Sequence, residues 1–204
     1  MIKNIVFDMG KVLLNYDEHV VCHHVTEDET MQKSIAAAVF QSQEWILLDM
    51  GVITEKEALK RMQARLETEE EKELASYCLA HWHEYNMWSM DGMGELVRKL
   101  KEKSFGIYLL SNASLRLLDC YRMIPGIEYF DGTLFSAEVK CIKPQKEIYG
   151  HFFERFHLKP EECFFIDDSP LNIEGSRACG MDGYCFADGD RKRLEKCLFH
   201  LNED

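Results

Sequence analysis

Three polar clusters in this sequence each close an apolar run: Phe7-Asp8-Met9-Gly10-Lys11-Val12, Leu110-Ser111-Asn112 and Ile166-Asp167-Asp168-Ser169. A fourth, Lys143-Pro144, opens the helical stretch before the last of them. Brought together, Asp8, Asp167 and Asp168 repel one another strongly unless a cation sits among them, and an all-oxygen set with few protein ligands is what Mg²⁺ favours. A metal-bound carboxylate beside the Ser111 hydroxyl and the Lys143 amine suits phosphoryl transfer, because ion and amine neutralise the equatorial oxygens while a carboxylate attacks. Asp8 would then take up the phosphoryl group as an aspartyl phosphate, and water would hydrolyse it. Each cluster alone has a plainer explanation. Asp8 would be a strand-end turn residue, Ser111-Asn112 turn chemistry, and Lys143-Pro144 a helix start with proline at its first position. Their coincidence carries the catalytic reading.

One shared site requires strands that end at one edge, since an open parallel sheet gathers ligands at the carboxyl ends of its strands. Five short runs rich in β-branched and aromatic residues fit buried parallel strands: Ile5 to Phe7, Ile107 to Leu110, Thr133 to Phe135, Cys163 to Ile166 and Tyr184 to Phe186. Helix-like stretches alternate with the later ones, at Leu115 to Met123, Gln145 to Phe156 and Leu171 to Cys179, and a last one covers Arg191 to Leu201. The pattern is α/β, a Rossmann-like parallel sheet core. About a hundred residues separate the first strand from the second, where a crossover needs a few dozen at most. From Asp17 to Trp88 the periodicity is helical with no convincing strand, and Thr54 with Glu57 makes a capping-box start. The chain therefore divides into a core of residues 1–16 and 89–204 and an inserted α-helical cap of residues 17–88. A helix from Met93 to Lys103, with Leu96, Val97 and Leu100 on one face, leads back to the core.

The 204 residues carry a formal net charge of -12, which argues against nucleic acid or an anionic membrane surface as partner. The expected partner is a small phosphorylated metabolite, admitted where a metal and local cations reverse the field. The eight cysteines show no CxxC spacing and the Met-Ile-Lys-Asn start runs straight into a strand, with no secretory signal. Reduced thiols and a cytoplasmic location are expected. No apolar run approaches the roughly 20 residues of a membrane helix.

The four clusters resemble, in order and spacing, the motifs of the haloacid-dehalogenase-like superfamily, across nearly the whole chain. That resemblance implies Asp8 as nucleophile and Ser111 with Lys143 as ligands of the phosphoryl group. It implies that Asp168 binds Mg²⁺, with Asp167 joining directly or through water, and that Asn172 fills the remaining motif position. It places the Gly10 carbonyl among the metal ligands, turns the amides of Met9, Gly10 and Asn112 toward the phosphate, and makes the inserted helices a mobile cap. One position departs from the family's phosphatases, which usually carry a second aspartate two residues after the nucleophile as general acid and base. Here it is Gly10. The pattern Asp-Met-Gly-Lys-Val nevertheless resembles a bacterial subgroup of sugar phosphatases reading Asp-Leu-Gly-Asn-Val, among them glucose-1-phosphate phosphatases. A sugar 1-phosphate leaves as a hemiacetal alkoxide and depends less on protonation.

Asp17, His19 and His23 are the sequence's candidates for the missing acid, because they stand where the chain enters the cap. His19 and His23, four apart beside Cys22 and His24, have a spacing that suits zinc, although solvated histidines are the commoner outcome. Trp45, Trp82 and Trp88 with Met87 and Met90 fit either a substrate pocket or the cap's own core. A true dehalogenase would have no use for Asp167-Asp168, and a phosphorylation switch of the receiver type has its motifs in another order. The non-enzymatic alternative is a degenerate relative that binds a phosphorylated ligand or a protein, and Gly10 is its only support.

Overall fold

The computed structural model describes residues 1–203. Its strands are β1 (Asn4–Phe7), β2 (Leu14–Tyr16), β3 (Met87–Ser89), β4 (Gly106–Ser111), β5 (Gly132–Phe135), β6 (Cys163–Asp167) and β7 (Asp182–Cys185). Five of them form one parallel sheet in the order β5-β4-β1-β6-β7, and β2 pairs with β3 antiparallel. Alternate residues of β1 serve opposite faces, as a period of two demands. Ile5 and Phe7 join Ile107, Leu109 and Ile166 on one side, while Val6 joins Leu110, Leu134 and Phe165 on the other. Both faces are covered, which is why these runs are apolar throughout.

Five helices lie between β2 and β3: α1 (Val20–Val25), α2 (Glu29–Val39), α3 (Gln43–Asp49), α4 (Glu55–Gln63) and α5 (Glu69–Tyr85). The Thr54–Glu57 capping box opens α4, and a second one, Thr68 with Glu71, opens α5 inside the acidic run. Along the sheet follow α6 (Met93–Glu102), α7 (Leu117–Cys120), α8 (Ser136–Val139), α9 (Lys146–Phe156), α10 (Pro170–Ala178) and α11 (Arg191–Phe199). Leu96, Val97 and Leu100 of α6 and Leu194 and Leu198 of α11 cover the first face. Ile148, Tyr149 and Phe152 of α9 and Ile173 of α10 cover the second.

Two expectations need correction. Met87–Ser89 is a strand, where the sequence from Asp17 to Trp88 showed none, because three residues are too few to display alternation and its pairing partner Leu14–Tyr16 is remote in sequence. The helix expected over Leu115 to Met123 shrinks to α7 and a 3₁₀ turn at Tyr121–Met123. Leu115 and Leu118 stay exposed there, so no single apolar stripe forms, and Pro125 stops the segment. All eight cysteines are unpaired. Among the described residues, no helix is long and apolar enough to cross a membrane.

The helical insertion touches the sheet domain at a few well-defined points. Ser136 Oγ donates to the Asp49 carbonyl over 2.5 Å and also accepts from the Ala113 amide at 2.8 Å. Gly51, at φ +65°, lies so close to the Ala137 carbonyl that a Cβ there would collide with backbone. Arg116 forms a two-pronged ion pair with Glu55 at the start of α4.

Candidate active site

The parallel register brings the ends of β1, β4 and β6 level. Phe7 stands opposite Leu109 and Ile166, and the Asp8 amide donates to the Ile166 carbonyl at 2.8 Å. Asp8 and Asp167 thus become neighbours at the centre of the sheet, and Lys143 enters between them from the loop before α9. Its ammonium lies 2.7 Å from Asp167 Oδ2, 2.8 Å from Asp8 Oδ1 and 2.9 Å from the Leu110 carbonyl. Asn112 clamps the lysine's backbone: its Oδ1 accepts from the Lys143 amide at 2.8 Å and its Nδ2 donates to the Lys143 carbonyl at 3.1 Å. Asp167 is fully buried and accepts from the Ser169 amide and from Asn172 Nδ2 as well as from the lysine. Asn172 therefore braces the carboxylate that holds the lysine.

The charges shape one another strongly in this dry setting. Burial pushes the Asp8 carboxyl up to about 6; Lys143 pulls it down and Asp167 pushes it up again. Burial alone would lower the Lys143 ammonium, but Asp8 and Asp167 outweigh that and hold it above its ordinary value, so it stays charged. Asp168, half-buried, is raised by burial and then by Asp167.

Oxygens of Asp8, Asp167 and Asp168 lie within 4.8 Å of one another. Lys143 is ion-paired to Asp8 Oδ1 at 2.8 Å, and together with the Met9 amide it pulls the Asp8 carboxyl down against burial. Three converging carboxylates with a single lysine among them make an all-oxygen donor set that fits a hard divalent cation.

A cavity of about 260 Å³ opens above these groups. Asp8, Met9, Gly10, Ser111, Asn112, Lys143, Asp168 and Asn172 all line it, so the structure brings together the residues that the motifs singled out, with Asp167 directly behind them. β2, β3 and the helical insertion add Tyr16, Trp45, Asp49, Trp82 and Met87 to the lining. Trp45 and Trp82 meet edge to face at 5.1 Å, and Trp82 is itself packed against Tyr16. Asp17, His19, Trp88 and Met90 instead line a neighbouring cleft, which shares Lys11, Tyr16 and Asp168 with the cavity. Asp17 is occupied in accepting from the His19 amide. His23 borders neither space, and its ring stacks on His19. Among the described residues, the three aspartates are the only cluster able to hold a metal, so the histidine spacing does not produce a zinc site.

Asp49, at the carboxyl end of α3, was invisible to sequence reasoning. Its one signal is an acid placed where the helix's partial negative charge opposes it. Burial pushes its carboxyl up to about 7, against the pull of the Ser114 amide. The folded protein therefore keeps a proton that an unfolded aspartate loses near pH 4. Folding takes up that proton between pH 4 and 7, so Asp49 makes stability fall as pH rises through this window and contributes no further slope above it. Asp49→Asn is never charged; its urea-unfolding stability relative to the wild type is expected to improve from pH 4 to pH 7 and then level off. A difference that stays constant from pH 4 to 8 would mean that Asp49 titrates like an exposed aspartate.

A family model described as haloacid dehalogenase-like hydrolase matches residues 2–180. D-ribitol-5-phosphate phosphatase of Bacteroides thetaiotaomicron is 26% identical over 200 residues, covering 90% of this chain and 91% of that protein. Flavin mononucleotide hydrolase 1 of Arabidopsis thaliana is 28% identical over 149 residues, 72% of this chain but only 58% of that protein's length. A HAD family enzyme of Bacteroides thetaiotaomicron, solved with magnesium and inorganic phosphate, superposes with a TM-score of 0.67 at 25% identity, over 90% of this chain and 93% of its own. The family match runs through β1, β4 and β6 and through every one of the converging polar residues, and by it the chain belongs to the haloacid dehalogenase-like hydrolases.

Proposed function

We propose that this hydrolase is a Mg²⁺-dependent phosphatase that cleaves a small phosphomonoester, a sugar or polyol phosphate, through an aspartyl phosphate on Asp8. The observation that carries this reading is the Asp8 carboxylate itself. It is buried, lines the cavity beside Ser111 and Asp168, and has the charged Lys143 ion-paired to one of its oxygens. Such a carboxylate can attack an electrophile brought into the cavity.

Asp8 would attack phosphorus as the bond to the ester oxygen breaks, and water would then release phosphate and restore the carboxylate. Lys143 neutralises charge on the phosphoryl oxygens from its fixed seat on Asp167 and Leu110. Ser111 and the amides of Gly10 and Asn112 supply donors to the same oxygens. Asp8, Asp168 and the Gly10 carbonyl would hold Mg²⁺, with Asp167 contributing charge from behind. Bound there, the ion adds positive charge at the phosphoryl oxygens. Tyr16, Trp45, Trp82 and Met87 leave a compact, partly aromatic space for the alcohol portion. The names of the relatives support the substrate class: one is a D-ribitol-5-phosphate phosphatase, and a protein of Thermotoga maritima, 29% identical over 92 residues that make up 45% of this chain and 43% of that protein, is a phosphorylated carbohydrates phosphatase.

The test is phosphate release from a panel of sugar 1-phosphates, sugar and polyol phosphates on primary hydroxyls, and an activated aryl phosphate. Activity is expected to vanish with chelator and to return with Mg²⁺. No release from any ester in the presence of metal would replace this reading with that of a phosphate-binding relative without turnover.

A further inference from the structure

Phosphatase chemistry at Asp8 leaves the proton of the departing alcohol unassigned. Resting on that chemistry, we propose that Asp49, reaching the cavity from the helical insertion, is the general acid and base of this enzyme in place of the carboxylate that Gly10 lacks.

Three observations converge on it. Gly10 leaves its place open, because a Cβ added there would meet nothing within 4 Å, so the space beside the nucleophile is free for a group from elsewhere. Asp49 lines the same cavity as Asp8 and Gly10, its carboxyl accepting from the Ser114 amide just beyond β4. Its position is fixed by the sheet domain, through Ser136 Oγ on its carbonyl and the tight seating of Gly51 on Ala137.

The other ionisable groups of the cavity are excluded one by one. Asp8 is the nucleophile and Asp168 faces the metal site. Lys143 is pinned by three oxygens. Tyr16, raised by burial and by Glu18 and Asp49, is too weak an acid near neutrality, and Lys11 is a cation beside Asp168. The Ser114 amide donates to the Asp49 carboxyl, and the titratable groups near it are Tyr16 from β2 and Glu55 from α4, the latter paired with Arg116. Neither offers it a positive charge. A carboxyl near 7 is matched to giving and taking a proton at physiological pH.

In the first step Asp8 forms its bond to phosphorus while the bond to the ester oxygen breaks, and the Asp49 proton passes to that oxygen. The alcohol leaves neutral and Asp49 remains as carboxylate. In the second step this carboxylate takes a proton from the attacking water. Phosphate leaves, and both aspartates return to their starting forms.

The experiment compares wild type and Asp49→Asn on two esters in Mg²⁺: a polyol phosphate on a primary hydroxyl, whose alkoxide needs protonation, and an aryl phosphate, whose phenolate does not. The variant is expected to lose roughly 10²–10⁴-fold in kcat on the polyol ester, with much less change on formation of the aspartyl phosphate from the aryl ester, read from the burst of phenol. Equal losses in polyol turnover and aryl burst would overturn the assignment and leave Asp49 a structural residue, as would unchanged turnover of the polyol ester. Wild-type hydrolysis of the aryl ester, abolished in Asp8→Asn, shows that the phosphatase reading stands whatever Asp49 does. Absence of any wild-type turnover would overturn both.

Discussion

Asp8→Asn is expected to lower phosphate release by roughly 10⁴-fold or more while leaving the fold intact, since removing a covalent nucleophile disables the whole reaction sequence. The side chain keeps its shape and loses only its charge. In the wild type that charge is unfavourable in the unliganded protein: burial raises the carboxyl to about 6 and Asp167 adds to the effect. The substitution removes this repulsion and leaves Lys143 its contacts to Asp167 and Leu110. The melting temperature without metal should therefore hold or rise, although the enzyme is dead. Steady-state phosphate release and a thermal melt followed by circular dichroism check the two halves separately. Retention of more than a tenth of the activity would rule out Asp8 as the nucleophile.

Lys143→Met should have the second largest effect, and should damage stability and chemistry together. The lysine is the one cation between two buried carboxylates, at 2.8 Å from Asp8 and 2.7 Å from Asp167. Removing one member of a buried charge group costs about 3–5 kcal/mol, because the remaining charges are left uncompensated. Of the three largest influences on Asp8, burial and Asp167 both raise its pKa and only Lys143 lowers it. Without the lysine the Asp8 carboxyl is pushed further up, which disfavours the ionised form that the proposed mechanism needs. Loss of a charge-stabilising donor by itself is worth about 10²–10³ in kcat. Urea unfolding should show the destabilisation, and Mg²⁺ should restore part of it by supplying positive charge to the same carboxylates. An unchanged midpoint in metal-free buffer would show that the lysine is not needed to hold the carboxylates together.

The parts of the fold that were legible in sequence are those where burial imposes a pattern over several residues. Runs such as Ile5-Val6-Phe7 and Cys163 to Ile166 are apolar throughout because helices cover both faces of the sheet. The polar residues immediately after them could only be at one edge. The Thr54 capping box is equally local, needing only two residues three apart. Pairings between remote short segments left no such trace. Leu14–Tyr16 and Met87–Ser89 are each three residues long, and their partnership is visible only in space. The rest of the cavity's lining was hidden for a related reason. Helical periodicity marks Trp82 as facing inward but does not say which space it faces, and Trp45 and Asp49 reach the site through the packing of α3 against the sheet domain. Asn172 could be placed in the motif from sequence, but what its side chain does there is visible only in its two contacts to Asp167.

Gly51 sits where even a methyl group would strike the Ala137 backbone, two residues after the aspartate we assign as proton donor. Nucleophile and proposed donor are thus borne by separate parts of the chain, held together where Gly51 seats on Ala137. On that assignment, a phosphoester that kept Gly51 from seating on Ala137 would meet Asp8 without the proton its leaving oxygen needs. Substrate size would then be read through the proton transfer as well as through the walls of the cavity.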